Sequence, residues 1–318
     1  MSPKLTKKQQ NEIEQLKLAQ QRPIKNLVFS GGGAKGVVYP GAFRAMQESG
    51  LLARVSNIAG ASAGAITAAL ISVGTPITKI REMSLHVNME SLMGSRVYER
   101  NQGVIPSITK DGNDLYSFIK EQMKQALITI NRVDLNNRIR TFKQSASADI
   151  LDQVYVAELL KKKLDDEDYD ITFADLHVLH LLDPQRFKNL TVTAIKLPGG
   201  EAQQFDYQKT PQVSIALACR ASASIPIILK PVAIRINGNT SNYIDGGIEN
   251  NLPTNLISDP LHREDTLVFA FGEGHKTGAY YRQNRVEHAM HRGHWSEAVT
   301  LNFLHSIYAG ALEMCCPL

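Results

Sequence analysis

Apolar and polar positions fall in blocks along the chain, and the lengths of those blocks predict alternating strands and helices through its first quarter. Residues 25–30 are a short apolar run that ends in Ser30 and enters a glycine-rich loop, the pattern of a buried strand. Residues 37–47 follow with helical spacing, with Pro40 tolerable in a first turn and Gly50 as a stop. A second buried run at 55–59 leads into helix formers and apolar residues at 65–72, which Gly74 and Pro76 terminate. Strand, loop, helix, strand, turn, helix is the βαβ order of a parallel sheet with right-handed crossovers. That order brings the loops after the two strands side by side at the carboxyl edge.

Periodicity lapses over 94–114, where Gly94, Gly103, Pro106 and Asp111-Gly112 predict a long connection and a candidate lid. Helical spacing resumes at 113–130 with Leu115, Phe118, Ile119, Met123 and Leu127 on one side, and a polar, basic stretch follows at 131–148. Residues 150–164 read as a helix whose closing lysines suit its C-terminal dipole, and Thr172 as the N-cap of a further helical turn. Residues 190–195 are strand-like and 213–222 helical. Residues 227–236 are strand-like with Pro231 restricting them to an edge or a bulge, and 265–271 read as another core strand. Residues 1–23 predict a basic, solvated arm and 295–314 an amphipathic helix. The expected division is therefore an arm at 1–23, one α/β domain at 24–275 and a helical segment at 276–318.

Composition narrows the classes. A chain of 318 residues with 43% hydrophobic and 21% charged residues can bury a sizeable core and is not disordered by default. A net charge of +4, with Lys and Arg scattered among acids, argues against nucleic acid and leaves weak attraction to an anionic membrane surface. Cys219, Cys315 and Cys316 make no disulfide framework, which favours a reducing compartment. The N-terminus lacks an apolar signal region and no window reaches the ~18 apolar residues of a membrane span, so the expectation is cytoplasmic with peripheral membrane contact. His288, His291 and His294 share a three-residue spacing, but Gly293 interrupts them and no acid joins that face; neither a metal nor a cofactor is expected. Cys315-Cys316-Pro317-Leu318 has the form of a prenylation site with a poorly suited proline.

The candidate chemistry lies where strand turns to helix. Gly60-Ala61-Ser62-Ala63-Gly64 has the form of a nucleophile elbow, which leaves an exposed Ser62 Oγ at a helix N-terminus where developing negative charge is favoured. The loop Gly31-Gly32-Gly33-Ala34-Lys35-Gly36 has three readings. As a dinucleotide fingerprint it wants an acid at the end of the second strand, where Ala59-Gly60 stand instead. As a P-loop it fails because Lys35 precedes the last glycine. As an oxyanion hole it places backbone N–H groups toward one spot beside the serine, and this reading fits best. Asp245 precedes Gly246-Gly247 on a tight turn, although nothing else separates it from the 31 acidic residues of the chain.

Four stretches together resemble the patatin-like phospholipase family of the bacterial type: the glycine loop at 31–36, the elbow at 60–64, Ala221-Ser222-Ala223-Ser224-Ile225-Pro226, and Asp245-Gly246-Gly247. Thr172-Phe173-Ala174-Asp175-Leu176 is also similar to the family, and the likeness runs over about residues 24–275. The resemblance implies a three-layer α/β/α fold with a mainly parallel central sheet. It implies phospholipase A or lysophospholipase chemistry on fatty acyl esters, by a Ser62–Asp245 dyad and an acyl-serine, with no histidine and no cofactor. The oxyanion loop would comprise Gly31, Gly32, Gly33, Ala34 and Gly36, with the N–H groups of Gly32, Gly33 and Ala34 as donors and Ala63 beside them. The implied partners are a phospholipid membrane surface and a host protein activator, because the bacterial type includes effectors delivered into eukaryotic cells without a signal peptide. An endogenous cytosolic lipase, a silent binding module on the same fold and a dinucleotide-binding protein are the competing readings.

Overall fold

Asparagine opens three of the four parallel strands: β1 (Asn26–Phe29), β2 (Asn57–Ala61) and β3 (Asn189–Leu197). The three residues sit in register, Asn26 against Asn57 and Asn57 against Asn189, and Asn26 also pairs with the first residue of the last strand, Thr266–Phe269. Their side chains form a ladder across the strand starts. His177 Nδ1 lies 2.9 Å from Asn189 Oδ1, Asn189 donates to Asn57 at 3.3 Å, Asn57 donates to Asn26 at 2.9 Å, and Asn26 donates to Asp265 at 3.0 Å. A one-residue slip of any strand would break this chain and turn every side chain to the wrong face. Level starts give level ends, so β1 and β2 release the glycine loop and the elbow at the same edge of the sheet.

The computed structural model describes residues 24–100, 104–166, 168–257 and 265–271. The arm at 1–23, the histidine run at 288–294, the helix expected at 295–314 and the terminal cysteines lie outside the described residues. The remaining strands are β4 (Glu201–Phe205), β5 (Val232–Ile236), β6 (Asn239–Asp245) and β7 (Thr266–Phe269). The order is β5-β6-β3-β2-β1-β7, with β4 also paired to β3. The centre from β3 to β7 is parallel, while β4, β6 and β5 join antiparallel. β5 is the edge strand that Pro231 demanded.

The helices are α1 (Tyr39–Glu48), α2 (Ala63–Ser72), α3 (Ile77–His86), α4 (Met89–Leu92), α5 (Asn113–Ile128), α6 (Arg132–Ser145), α7 (Leu151–Lys163), α8 (Phe173–Leu182) and α9 (Ile215–Ser222). α2 packs on β1, β2 and β3; α9 packs on β3 and β6; α5 lies against both helices. Leu115, Ile119, Met123 and Leu127 of α5 are buried as expected, with Ala126 beside them and Phe118 half-buried. α8 rests on β3 and carries α7 and α6. Its N-terminus is closed by a capping box between Thr172 and the fully buried Asp175.

Two expectations change, and one strand is new. Residues 265–271 contribute a four-residue, half-buried strand rather than a core strand. β4 was not visible in its pattern because Glu-Ala-Gln-Gln-Phe becomes a strand only by pairing with β3. The connection at 94–114 is not a free lid but a pinned hairpin. Val97 N–H donates to Thr109 O at 2.8 Å, Lys110 N–H to Ile228 O at 2.8 Å, and Lys230 N–H to Lys110 O at 2.9 Å. Thr109, fully buried, adds a 2.7 Å hydrogen bond to Ile227 O.

Replacing Asn57 by Ala leaves the Asn26 carbonyl oxygen and the Asn189 amide without their partner. Urea unfolding should show a loss of about 1–3 kcal/mol with an unchanged denaturant slope. An unchanged midpoint would mean that the ladder adds nothing to the strand register.

Candidate active site

The elbow is built by exclusion of side chains. Ser62 takes φ 52° and ψ −124°, a region that costs a non-glycine residue ~1–3 kcal/mol and persists only where its surroundings enforce it. They do so here by close approach. A Cβ on Gly60 would sit 2.3 Å from Gly64 O, and one on Gly64 would sit 2.4 Å from Phe29 O, so the turn is pressed onto itself and onto the end of β1. Ser62 is only 6% exposed, against the exposed serine expected from the motif, because the glycine loop and the C-terminal end of α9 close around it.

Ser62 Oγ donates to Asp245 Oδ2 at 2.7 Å across 183 positions of sequence. Asp245 is the last residue of β6 and is 4% exposed; its other oxygen accepts from Gly247 N–H at 2.7 Å. Burial raises the carboxyl pKa to about 7, and the hydrogen bonds from Ser62 and Gly247 offset part of that rise. The contact is direct, without an intervening imidazole: His177 and His180 engage Asn189 and Phe187.

The segment at 221–226 touches both members of the pair. Ser222 Oγ accepts from Ser62 N–H at 2.9 Å, and Ser224 O accepts from Asp245 N–H at 3.1 Å. Beneath it lies Arg220, 3% exposed, which sequence reasoning missed. Its guanidinium donates to Gly112 O at 2.9 Å, Asp111 O at 2.7 Å, Lys230 O at 3.2 Å and Ser224 Oγ. Burial pushes its pKa down to about 10. A long cation satisfied mostly by backbone carbonyls thus ties the 94–112 hairpin and the start of β5 to the segment that holds Ser62 and Asp245.

The glycine loop divides by role. Gly31 N–H is engaged with Asn251 O at 3.0 Å, so Gly31 does not supply a donor to the serine. Asn251 Nδ2 returns a 3.3 Å hydrogen bond to Gly31 O. Asn251 was also missed; its only sequence signal is its place six residues after Asp245 in Asn250-Asn251-Leu252-Pro253. Gly33 has φ +54°, and a 3-10 turn over Gly33–Val38 begins there. The first N–H groups of such a turn, those of Gly33 and Ala34, have no acceptor within it. Gly36 brings the turn against α2, since a Cβ there would lie 3.1 Å from Ala63 Cβ. With Gly31 N–H engaged, the candidate donors narrow to the N–H groups of Gly32, Gly33, Ala34 and Ala63.

Residues 27–257 match the family model described as patatin-like phospholipase. The uncharacterized protein YqhO of Bacillus subtilis is 30% identical over 238 residues, 74% of this chain and 67% of that protein. The probable lipid hydrolase 463L of Invertebrate iridescent virus 6 is 26% identical over 236 residues, 73% of this chain and 62% of that protein. Among solved structures, VipD from Legionella pneumophila superposes with a TM-score of 0.55 at 23% identity, covering 83% of this chain and 54% of that one. ExoU in its complex with SpcU, from the type III secretion system of Pseudomonas aeruginosa, gives 0.53 at 23% identity, covering 90% and 53%. The chain spans about two thirds of the curated relatives and about half of the two solved ones; the latter likeness is one of fold.

Replacing Arg220 by Met strands the carbonyls of Asp111 and Lys230 and leaves Gly112 O with the Tyr116 N–H alone. Stability should fall by about 3 kcal/mol or more. In hydrogen exchange the amides of Lys110 and Gly112 should lose more protection than those of β1, and uniform loss would refute a specific link to the hairpin.

Proposed function

The chain belongs to the patatin-like phospholipase family, and from that premise we propose that it is a lipid acyl hydrolase cleaving fatty acyl esters of phospholipids, with Ser62 as nucleophile and Asp245 as its base. The observation that carries the reading is the 2.7 Å hydrogen bond from the strained elbow serine to a buried carboxylate of raised pKa. Ser62 Oγ attacks the ester carbonyl while its proton passes to Asp245 Oδ2. The oxyanion is held by N–H groups of Gly32, Gly33 and Ala34, with Ala63 at the N-terminus of α2; one such donor is commonly worth ~3 kcal/mol of barrier. Asp245 returns the proton to the leaving alcohol or lysolipid. It then takes one from water as the water attacks the acyl-serine, and passes it to Ser62 Oγ as the fatty acid leaves, which restores the hydroxyl and the carboxylate.

Residues 24–275 are proposed as the catalytic unit. No helix among the described residues is long and apolar enough to cross a membrane, and the reading places the protein on the lipid surface. An intact hydroxyl–carboxylate pair weighs against a silent binding module. Against a dinucleotide site, the end of β2 carries Ala61 and leads to Ser62 where such a site has its acid. A host protein activator and action inside a host cell belong to the same proposal. Fatty acid release from phospholipid vesicles with and without eukaryotic lysate reads the activator: release only with lysate supports it, and equal release removes it.

Ser62→Ala and Asp245→Asn should each lower ester hydrolysis by at least about 10³-fold. Full activity in either would overturn the dyad. Because Asp245 must be ionised to act as base, kcat/KM should rise as pH rises through about 7. The linked effect on stability has the opposite sense. The folded-state pKa of about 7 lies above the ordinary aspartate value of 3.8, so the folded state binds this proton more tightly, and stability present below pH ~4 is lost as pH rises through about 7. Asp245→Asn escapes that loss and should melt above the wild type at pH 8, whereas Ser62→Ala, which takes one hydrogen bond from the buried carboxylate, should melt below it.

A further inference from the structure

The hairpin at 94–112 is pinned at its base, and its described residues carry exposed apolar side chains. Its base is held by Arg220 and by the hydrogen bonds of Thr109 and Lys110 to Ile227 and Ile228, three and four residues after Ser224, which holds Asp245. Farther out, Tyr98, Ile105 and Ile108 are 71%, 41% and 60% exposed. Exposed Arg96 and Arg100 and half-buried Lys110 accompany them. Of the two acids, Glu99 is exposed, while Asp111 turns its Oδ1 to the N–H groups of Ser95 and Asn113. The other border of the dyad repeats the pattern: Val37 and Val38, 54% and 59% exposed, follow Gly36, which packs on Ala63 beside Ser62. The other exposed large apolar side chains are spread over α3, α5, α6, α7, α8 and β7, and need no special explanation. Five fall on two stretches, one hydrogen-bonded at its base to the segment that holds Asp245 and the other following the glycine that packs on Ala63, and these call for an explanation.

We propose that Arg96, Tyr98, Arg100, Ile105 and Ile108 of the hairpin, together with Val37 and Val38, form the surface that seats the protein on an anionic phospholipid bilayer. The inference rests on the lipid hydrolase reading and names how that site meets its substrate. A tyrosine and branched aliphatic side chains interleaved with arginines suit the headgroup boundary: the apolar groups enter it and the guanidinium groups pair with lipid phosphates. Because the hairpin is tied through Arg220 and Thr109 to the segment that holds Ser62 and Asp245, docking would set the mouth of the dyad against the lipid. Excess cation over anion at the hairpin favours a negatively charged lipid face over a neutral one.

The test uses Ser62→Ala protein, so that no lipid is turned over, sedimented with phosphatidylcholine vesicles and with vesicles that also contain phosphatidylserine. Binding to the mixed vesicles should be the tighter and should weaken with salt. Arg96→Gln with Arg100→Gln, and separately Tyr98→Ser with Ile108→Ser, should each lower the partition coefficient about tenfold or more without lowering the melting temperature. A second readout is Tyr98→Trp in a Trp295→Phe background, which removes the single native tryptophan. The new indole should shift to shorter wavelength on vesicles and be quenched by brominated lipid. Partitioning equal to the parent in both double variants, or an indole unmoved by vesicles, would overturn the proposal, as would capture by a protein partner through this surface in place of lipid. The function itself is read apart, by Ser62-dependent hydrolysis of a soluble short-chain ester. Loss of that hydrolysis with vesicle binding intact would overturn the lipase reading and leave the docking surface standing.

Discussion

A single carboxylate kept out of water at the end of β6 sets the demands that the rest of the molecule meets. Asp245 is buried among strand ends and touches a serine 183 positions away, so its placement depends on long-range register rather than on local sequence. Ala61 of β2 is paired with Thr193 of β3, and the next residue of β3, Ala194, with Asp245 of β6. Ser62 and Asp245 meet because both strands are aligned on β3, and β3 is aligned by the asparagine ladder at the opposite end of the sheet. A slip of one residue there would turn the carboxylate to the other face. The ladder is far from the chemistry and still decides it.

Holding such a group carries a cost, and it is met by hydrogen bonds rather than by apolar packing. Ser62 and Gly247 satisfy the carboxylate, Ser222 and Ser224 satisfy the two backbone N–H groups, and Arg220 anchors Ser224 and the hairpin together. The glycines serve the same end by removing side chains where backbones must nearly touch. A Cβ on Gly246 would lie 2.1 Å from Thr193 O, which explains why β6 ends in Asp-Gly. Buried polar networks of this kind give a definite geometry when fully satisfied and are costly when any member is lost.

What was legible in the sequence follows from the range of each interaction. β1, the glycine loop, the elbow and α2 are set by near neighbours, and their residue types show it. Pro231 marked the edge strand for the same local reason. Asp245 could be singled out only by resemblance, because its character comes from burial and from a partner on another strand. Arg220 and Asn251 left no periodic or motif signal, since their roles are hydrogen bonds to the main chain of Gly112 and Gly31, more than a hundred positions away. The same holds for the hairpin at 94–112: its glycines and proline mark a loop, while the bonds to Ile227 and Ile228 that pin its base belong to the fold.

Under the proposed roles, the absence of an imidazole between serine and carboxylate has a physical account. An ordinary aspartate carboxylate, which titrates at 3.8, is a poor acceptor for a serine proton. Burial moves Asp245 to about 7, the range in which histidine usually serves. The group that burial strengthens as a base is the one that burial makes harder to ionise, so the hydrogen bonds must leave it partly charged near neutrality. Ser62 supplies one of them. The nucleophile therefore helps to ionise the base that activates it, and the raised pKa and the short Ser62–Asp245 contact are two aspects of one arrangement.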